Sequence, residues 1–130
     1  MLPNEVEMKI LLVDDDAFLR DMYATKFSEL DHAIEVAATS EAALLKLRAG
    51  TYDVVLMDVV MPNMSGVELL RQIKTEKIGG DPICIMLTNQ SEEHEKNAAL
   101  EAGAVGYIVK AEFVPSEVVT EVIKLVATQK

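Results

Sequence analysis

The chain has 130 residues, half of them apolar, which suits one domain with a core that needs no covalent staples. Its net charge is −10, from 22 acidic and 12 basic residues, and it contains no tryptophan, three tyrosines and three phenylalanines. Such a surface repels a phosphate backbone and offers few rings for base stacking, so direct nucleic-acid binding is not expected.

Along the chain, the start Met1-Leu2-Pro3-Asn4-Glu5 lacks the basic residues and apolar stretch of a signal peptide. Apolar runs of strand length then alternate with helical patterns. The runs are Ile10–Val13, Ile34–Ala38, Val54–Met57, Ile83–Leu87 and Tyr107–Val109. Continuous rather than alternating apolar runs are what a sheet covered on both faces requires. The second run carries Glu35 and reads as an edge strand. None is long enough to span a membrane. Cys84, the single cysteine, permits no internal disulfide, which fits a reducing compartment, and the expected location is cytoplasmic.

Five helical segments lie between and after the runs. The first places Leu19, Met22, Tyr23, Phe27 and Leu30 on one face. The second opens at Ser40 as N-cap and stops at Gly50. Ser65-Gly66-Val67-Glu68 matches a capping box and opens the third, which runs to about Glu76. The fourth is expected from near Ser91 to Gly103. The fifth follows Pro115 and offers Val118, Val119, Val122, Ile123 and Val126, a β-branched set that packing must hold in place. The pattern predicts an α/β domain of (βα)₅ type, with right-handed crossovers and a parallel sheet between two helical layers. One domain is expected over 1–130, with its core at about 8–127.

In an open parallel sheet, ligands sit beyond the carboxyl ends of the strands. Asp14, Asp15 and Asp16 follow the first strand, Asp58 the third, Thr88 the fourth and Lys110 the fifth. Each alone fits a bland role, as a cap, a turn or a surface charge. Together they place carboxylates, a hydroxyl and an ammonium on one rim. Converging carboxylates repel by a few kcal/mol at ~4 Å, and a hard cation such as Mg²⁺ relieves this while keeping waters and a phosphate oxygen as ligands. An ionised carboxylate can also attack a phosphoryl group without a general base.

At these residues the sequence resembles the response-regulator receiver domain of two-component signalling. The segments are Lys9–Asp16, Met57–Gly66, Met86–Thr88 and Gly106–Lys110, so the resemblance spans about Lys9 to Ala127. It implies a flavodoxin-like sheet of order 2-1-3-4-5 and a phosphohistidine donor on a histidine kinase or histidine phosphotransfer protein. By position, it implies Asp58 as phosphoacceptor, Asp15 as a direct Mg²⁺ ligand and Asp14 as one acting through water. The Val60 backbone carbonyl would be a further metal ligand. Thr88 and Lys110 would contact the phosphoryl group, with Thr88 and Tyr107 as the switch pair. The output face would be formed by the fourth helix, fifth strand and fifth helix, on a monomer or a phosphorylation-dependent dimer that regulates a protein target rather than acting as an enzyme. Asp16 reads as a helix cap.

Three positions depart from the family pattern. Ala111 stands where a cis proline is usual. A cis bond there would cost ~3–4 kcal/mol, so a trans bond and a rerouted loop to Pro115 are expected, which bears on the reach of Lys110. Asn89 replaces a small residue and narrows the entrance. Ser65 replaces an aspartate and serves as the cap. The family assigns control of acyl-phosphate hydrolysis to the positions of Val60 and Gln90, and a valine cannot orient water, so a long-lived phosphorylated state is expected.

Rival readings are weaker. An aspartyl-phosphate phosphatase needs a second aspartate two places after the nucleophile, where Val60 stands. A nucleotide- or flavin-binding protein needs a Gly/Ser/Thr-rich loop where Asp14-Asp15-Asp16 would repel phosphate. A degenerate receiver serving only as an interaction module would not need the complete set. His32 and His94 read as solvated, Met57, Met61, Met64 and Met86 as gap fillers, and Cys84 as buried and inert. The chain ends after the fifth helix, which leaves no output domain within it. A single-domain regulator and a piece of a hybrid kinase or transcription factor both fit.

Overall fold

The computed structural model describes residues 7–89 and 92–129. Each apolar run becomes a strand: β1 Lys9–Val13, β2 Ala33–Ala37, β3 Val54–Asp58, β4 Ile83–Thr88 and β5 Gly106–Val109. Between and after them lie α1 Ala17–Glu29, α2 Ser40–Ala49, α3 Gly66–Glu76, α4 Glu93–Ala102 and α5 Pro115–Ala127. All strand pairs are parallel, in the order β2-β1-β3-β4-β5.

Alternate residues of the same strands feed two cores, which is why the runs are continuously apolar. Leu11, Val13, Val55, Met57, Cys84 and Met86 face Leu44 and Leu47 of α2 and Leu69, Leu70 and Ile73 of α3. Ile10, Leu12, Val54, Leu56, Ile85 and Leu87 face Tyr23 and Phe27 of α1 and Val118, Val119 and Val122 of α5. Burying each such large side chain contributes about 1.5–3 kcal/mol. That packing holds α5 despite its β-branched composition.

Several local expectations need correcting. Thr39, not Ser40, caps α2, because its side chain accepts the Ala42 amide, while Ser40 lies inside the helix and fully buried. Leu30 is 52% exposed instead of facing the core. The helix ends at Glu29, and Asp31 turns the chain with φ of 65°, so Leu30 leaves the helical register. His32 is buried, not solvated: its Nδ1 accepts the Met8 amide at 3.0 Å and its ring meets Phe27 edge-on. His94 is exposed. The expected start of the fourth helix at Ser91 lies outside the described residues, as do Met1–Glu5 and Gln90, and α4 begins at Glu93. Glu35 does sit on an edge strand, where Lys9, Lys46 and the Tyr52 hydroxyl surround its carboxylate. Among the described residues, no helix is long and apolar enough to cross a membrane.

Candidate functional site

Strand register assembles the rim. Val13 of β1 pairs with Met57 of β3, so Asp14 and Asp58, one residue further on, leave the sheet side by side. Asp58 pairs with Leu87, and Thr88 with Val109, which brings Thr88 and Lys110 to the same edge. Asp58, Asp14, Thr88 and Lys110 are all buried, whereas Asp15 is exposed and opens the cluster to solvent.

Carboxylate oxygens of Asp14, Asp15 and Asp58 lie within 4.8 Å of one another. The Lys110 ammonium enters between two of them, donating to Asp14 Oδ2 at 2.7 Å and to Asp58 Oδ2 at 3.1 Å. The other oxygen of Asp14 accepts the Asp16 amide at 2.9 Å, so both of its oxygens are engaged. Asp58 Oδ1 accepts a long bond, 3.3 Å, from the Val60 amide. Asp15 makes no polar contact with another described residue. Asp16 turns away and caps α1 by accepting the Leu19 amide.

The peptide bond to Ala111 is trans, and a 3-10 turn over Lys110–Glu112 leads toward Pro115. The rerouting costs Lys110 none of its reach, since its stem is long enough to carry the ammonium inward from the strand end.

Burial raises the Asp58 carboxyl above its usual range, the Lys110 charge and hydrogen bond pull it back, and the Asp14 charge raises it again. Burial acts to lower Lys110, yet Asp14 and Asp58 together hold its ammonium above its usual range. The two shifts express one imbalance. One ammonium, bonded to two of three clustered carboxylates, is satisfied fully while the anions are satisfied only in part. The surplus of two negative charges matches a divalent cation, and an exposed carboxylate beside two buried ones gives that ion an approach.

Tyr107 lies half-buried on β5 with its hydroxyl shielded from solvent. Burial raises its pKa, while the Thr88 hydroxyl and the Glu92 backbone stand close enough to pull it down without closing a hydrogen bond to it. A cleft of about 290 Å³ opens beside it, lined by Lys96 of α4, Val109 of β5, and Phe113 and Leu125. Cys84 is fully buried, which raises its thiol to about 11. Met57, Met61 and Met86 are buried too, and Met64 packs against the same core.

Three supporting residues escaped the sequence reading. Arg20, one turn into α1, donates to the Asp14 carbonyl at 2.9 Å. Gly66 packs so closely under β3 that a Cβ there would collide with the Asp58 carbonyl. The Ser40 hydroxyl donates to the Met64 carbonyl at 2.9 Å. Only Gly66 left a signal, as a glycine at the second position of a capping box where better helix formers are common.

Comparison with known proteins agrees with this geometry. The family model described as response regulator receiver domain matches residues 10–123. Transcriptional regulatory protein ResD of Bacillus subtilis (strain 168) is 40% identical over 116 residues, 89% of this chain but 47% of ResD. Two-component response regulator PhoP of Pseudomonas aeruginosa is 32% identical over 103 residues, covering 79% of this chain and 45% of PhoP. The chain thus spans less than half the length of either relative. Among solved structures, chemotaxis protein CheY4 of Vibrio cholerae superposes with a TM-score of 0.84 at 28% identity, covering 92% of this chain and 99% of that one. A CheY-like receiver domain protein of Methanospirillum hungatei JF-1 gives 0.85 at 27% identity, covering 95% and 97%.

Proposed function

The chain belongs to the response regulator receiver domain family, and from that premise we propose that it is a switch charged by transfer of a phosphoryl group onto Asp58. The observation that carries this is the Lys110 ammonium held between Asp14 and Asp58, beside the exposed carboxylate of Asp15. Receiver domains work with histidine kinases and downstream effectors. The donor here is a phosphohistidine on a histidine kinase or histidine phosphotransfer protein. An Asp58 oxygen forms the new P–O bond, the P–N bond breaks, and its electron pair leaves with the imidazole.

Asp15, Asp58 and the Val60 backbone carbonyl would hold Mg²⁺ directly, with Asp14 acting through water. That role suits Asp14, whose two oxygens are already engaged. Bound there, the cation would supply neutralisation of charge on the transferring phosphoryl oxygens. Lys110 exchanges a carboxylate for a phosphoryl oxygen, and the Thr88 hydroxyl donates to another. Drawing Thr88 toward the phosphoryl group resets its relation to Tyr107, and the change reaches the α4–β5–α5 face, where the cleft beside Tyr107 and Phe113 offers a binding surface for a protein target. The domain acts as a regulator that promotes its own phosphorylation and dephosphorylation, and it forms one unit over 1–130, as a monomer or a phosphorylation-dependent dimer. The cytoplasm, where such donors and free Mg²⁺ are present, is the compartment this reading requires.

The test is exposure to acetyl phosphate with and without Mg²⁺, read as intact mass. Gain of one phosphoryl group that requires both Mg²⁺ and Asp58 is the expected result. Equal labelling of Asp58→Asn, or none of the native chain, defeats the proposal.

A further inference from the structure

The geometry points to Ser40 as a positioning residue of the cation site, acting through the loop between β3 and α3; the inference rests on the reading above that this loop supplies the Val60 carbonyl. Ser40 is the first residue of α2 and fully buried, but Thr39 already caps that helix. The Ser40 hydroxyl is therefore free of any duty to its own helix. It crosses instead to the Met64 carbonyl, 24 residues away, at 2.9 Å.

The loop it reaches is held at its two ends. Val59 donates to the Leu87 carbonyl at 3.2 Å, Gly66 donates to the Val59 carbonyl at 2.8 Å, and Ser65 begins the capping box of α3. Between Val60 and Ser65 the other backbone bonds stay local: Val60 to the Asp58 side chain, and Met64 to the Pro62 carbonyl. Asn63, at φ of 70°, turns the chain sharply between them. Among the described residues, the Ser40 bond is the one hydrogen bond that ties residues 60–64 to an element other than β3 and α3, which the loop joins. Mg²⁺ demands near-octahedral geometry with short ligand distances, so slack in this loop is felt first as lost cation affinity.

A second clamp, this one between α2 and α3 themselves, separates local from general effects. Arg48 of α2 grips the Glu76 carboxylate of α3 through both oxygens, at 3.0 and 3.1 Å, far from the loop. Breaking the Arg48 clamp loosens α2 against α3, and of the two only Ser40 touches the loop.

The experiment measures Mg²⁺ affinity by calorimetry, without a phosphoryl donor, on the native chain, Ser40→Ala, Ser40→Cys and Arg48→Met. In parallel, acetyl phosphate labelling is followed against Mg²⁺ concentration. Ser40→Ala should raise the half-saturating Mg²⁺ about three- to tenfold, the effect of one lost buried hydrogen bond, with the labelling rate at saturating Mg²⁺ within about twofold of native. Ser40→Cys, which keeps a weak donor, should fall between, and it carries the test if Ser40→Ala does not fold. Arg48→Met should leave the half-saturating concentration unmoved. The inference is overturned if the serine variants bind Mg²⁺ as the native chain does, or if Arg48→Met weakens binding equally. Absence of Mg²⁺ binding by the native chain would instead bring down the cation site itself, and Ser40's role with it.

Discussion

Replacing Asp58 by asparagine should stabilise the cation-free fold, although it removes a buried ion-pair partner. At an effective dielectric of ~20, a carboxylate pair at 4.8 Å repels by roughly 3.5 kcal/mol, and Lys110 attracts Asp58 at 3.1 Å by roughly 5.4 kcal/mol. Asp58 therefore faces two repulsions, from Asp14 and Asp15, worth roughly 7 kcal/mol together, against one attraction, leaving its charge unfavourable by roughly 1.6 kcal/mol. Asp15 is exposed, so solvent screens its share, while the desolvation of buried Asp58 adds in the opposite direction. A gain of about 1–3 kcal/mol for Asp58→Asn is expected, a melting rise of about 3–10 °C for a chain of this size.

The assay is urea or thermal unfolding in EDTA, repeated in saturating Mg²⁺ and as a function of pH. Because the folded Asp58 carboxyl is raised above its ordinary value, its contribution to stability is fully present below the unfolded pKa and is lost as pH rises through the folded value. The advantage of Asp58→Asn should thus be absent in acid, grow across that window and level off above it. In Mg²⁺ the native chain should recover most of the difference, since bound cation stabilises the folded state. A variant that is no more stable than the native chain at neutral pH in EDTA refutes the charge accounting.

Gly66→Ala should cost about 1–3 kcal/mol and slow Mg²⁺-dependent labelling, because the new methyl meets the Asp58 carbonyl and the Met86 side chain; denaturant unfolding and intact mass check both. Val60, 66% exposed, brings no group that can orient water, so the phosphorylated state should persist in Mg²⁺ buffer without a phosphatase; rapid loss of the added mass would rule this out. Cys84 should resist alkylation by iodoacetamide at pH 8 until the chain is unfolded, since its thiol is buried and raised to about 11; modification of native protein at the rate of free cysteine would contradict the burial.

The strands were legible because a sheet covered on both faces needs unbroken apolar runs, and the rim because polar groups stop those runs at their carboxyl ends. What escaped depends on partners distant in sequence. Thr39 and Ser40 are adjacent hydroxyl residues, and nothing local says which one caps; the Met64 carbonyl settles it by claiming Ser40. His32 reads as solvated until the Met8 amide, just ahead of β1, is found bonded to its ring. Leu30 fits the helical stripe by spacing but falls one residue past the helix end. Ala111 looked consequential for Lys110, yet a lysine stem tolerates a rerouted backbone, and only the assembled contacts reveal it.

Hydrogen bonding divides labour among three carboxylates that composition alone leaves equivalent. Asp14 receives the Asp16 amide at 2.9 Å and Lys110 at 2.7 Å, and the Arg20 guanidinium fixes its backbone. Such strong donation engages both oxygens and makes Asp14 a scaffold. Asp15 has no polar partner among the described residues and is exposed, so water competes for every oxygen it presents. Asp58 alone combines burial with weak donation, at 3.1 Å and 3.3 Å. Its charge is the least satisfied of the buried carboxylates, and its oxygens are the ones an electrophile can claim at the smallest loss of existing bonds. The feature that costs the resting fold stability is therefore the feature that leaves the Asp58 oxygens less engaged than those of Asp14.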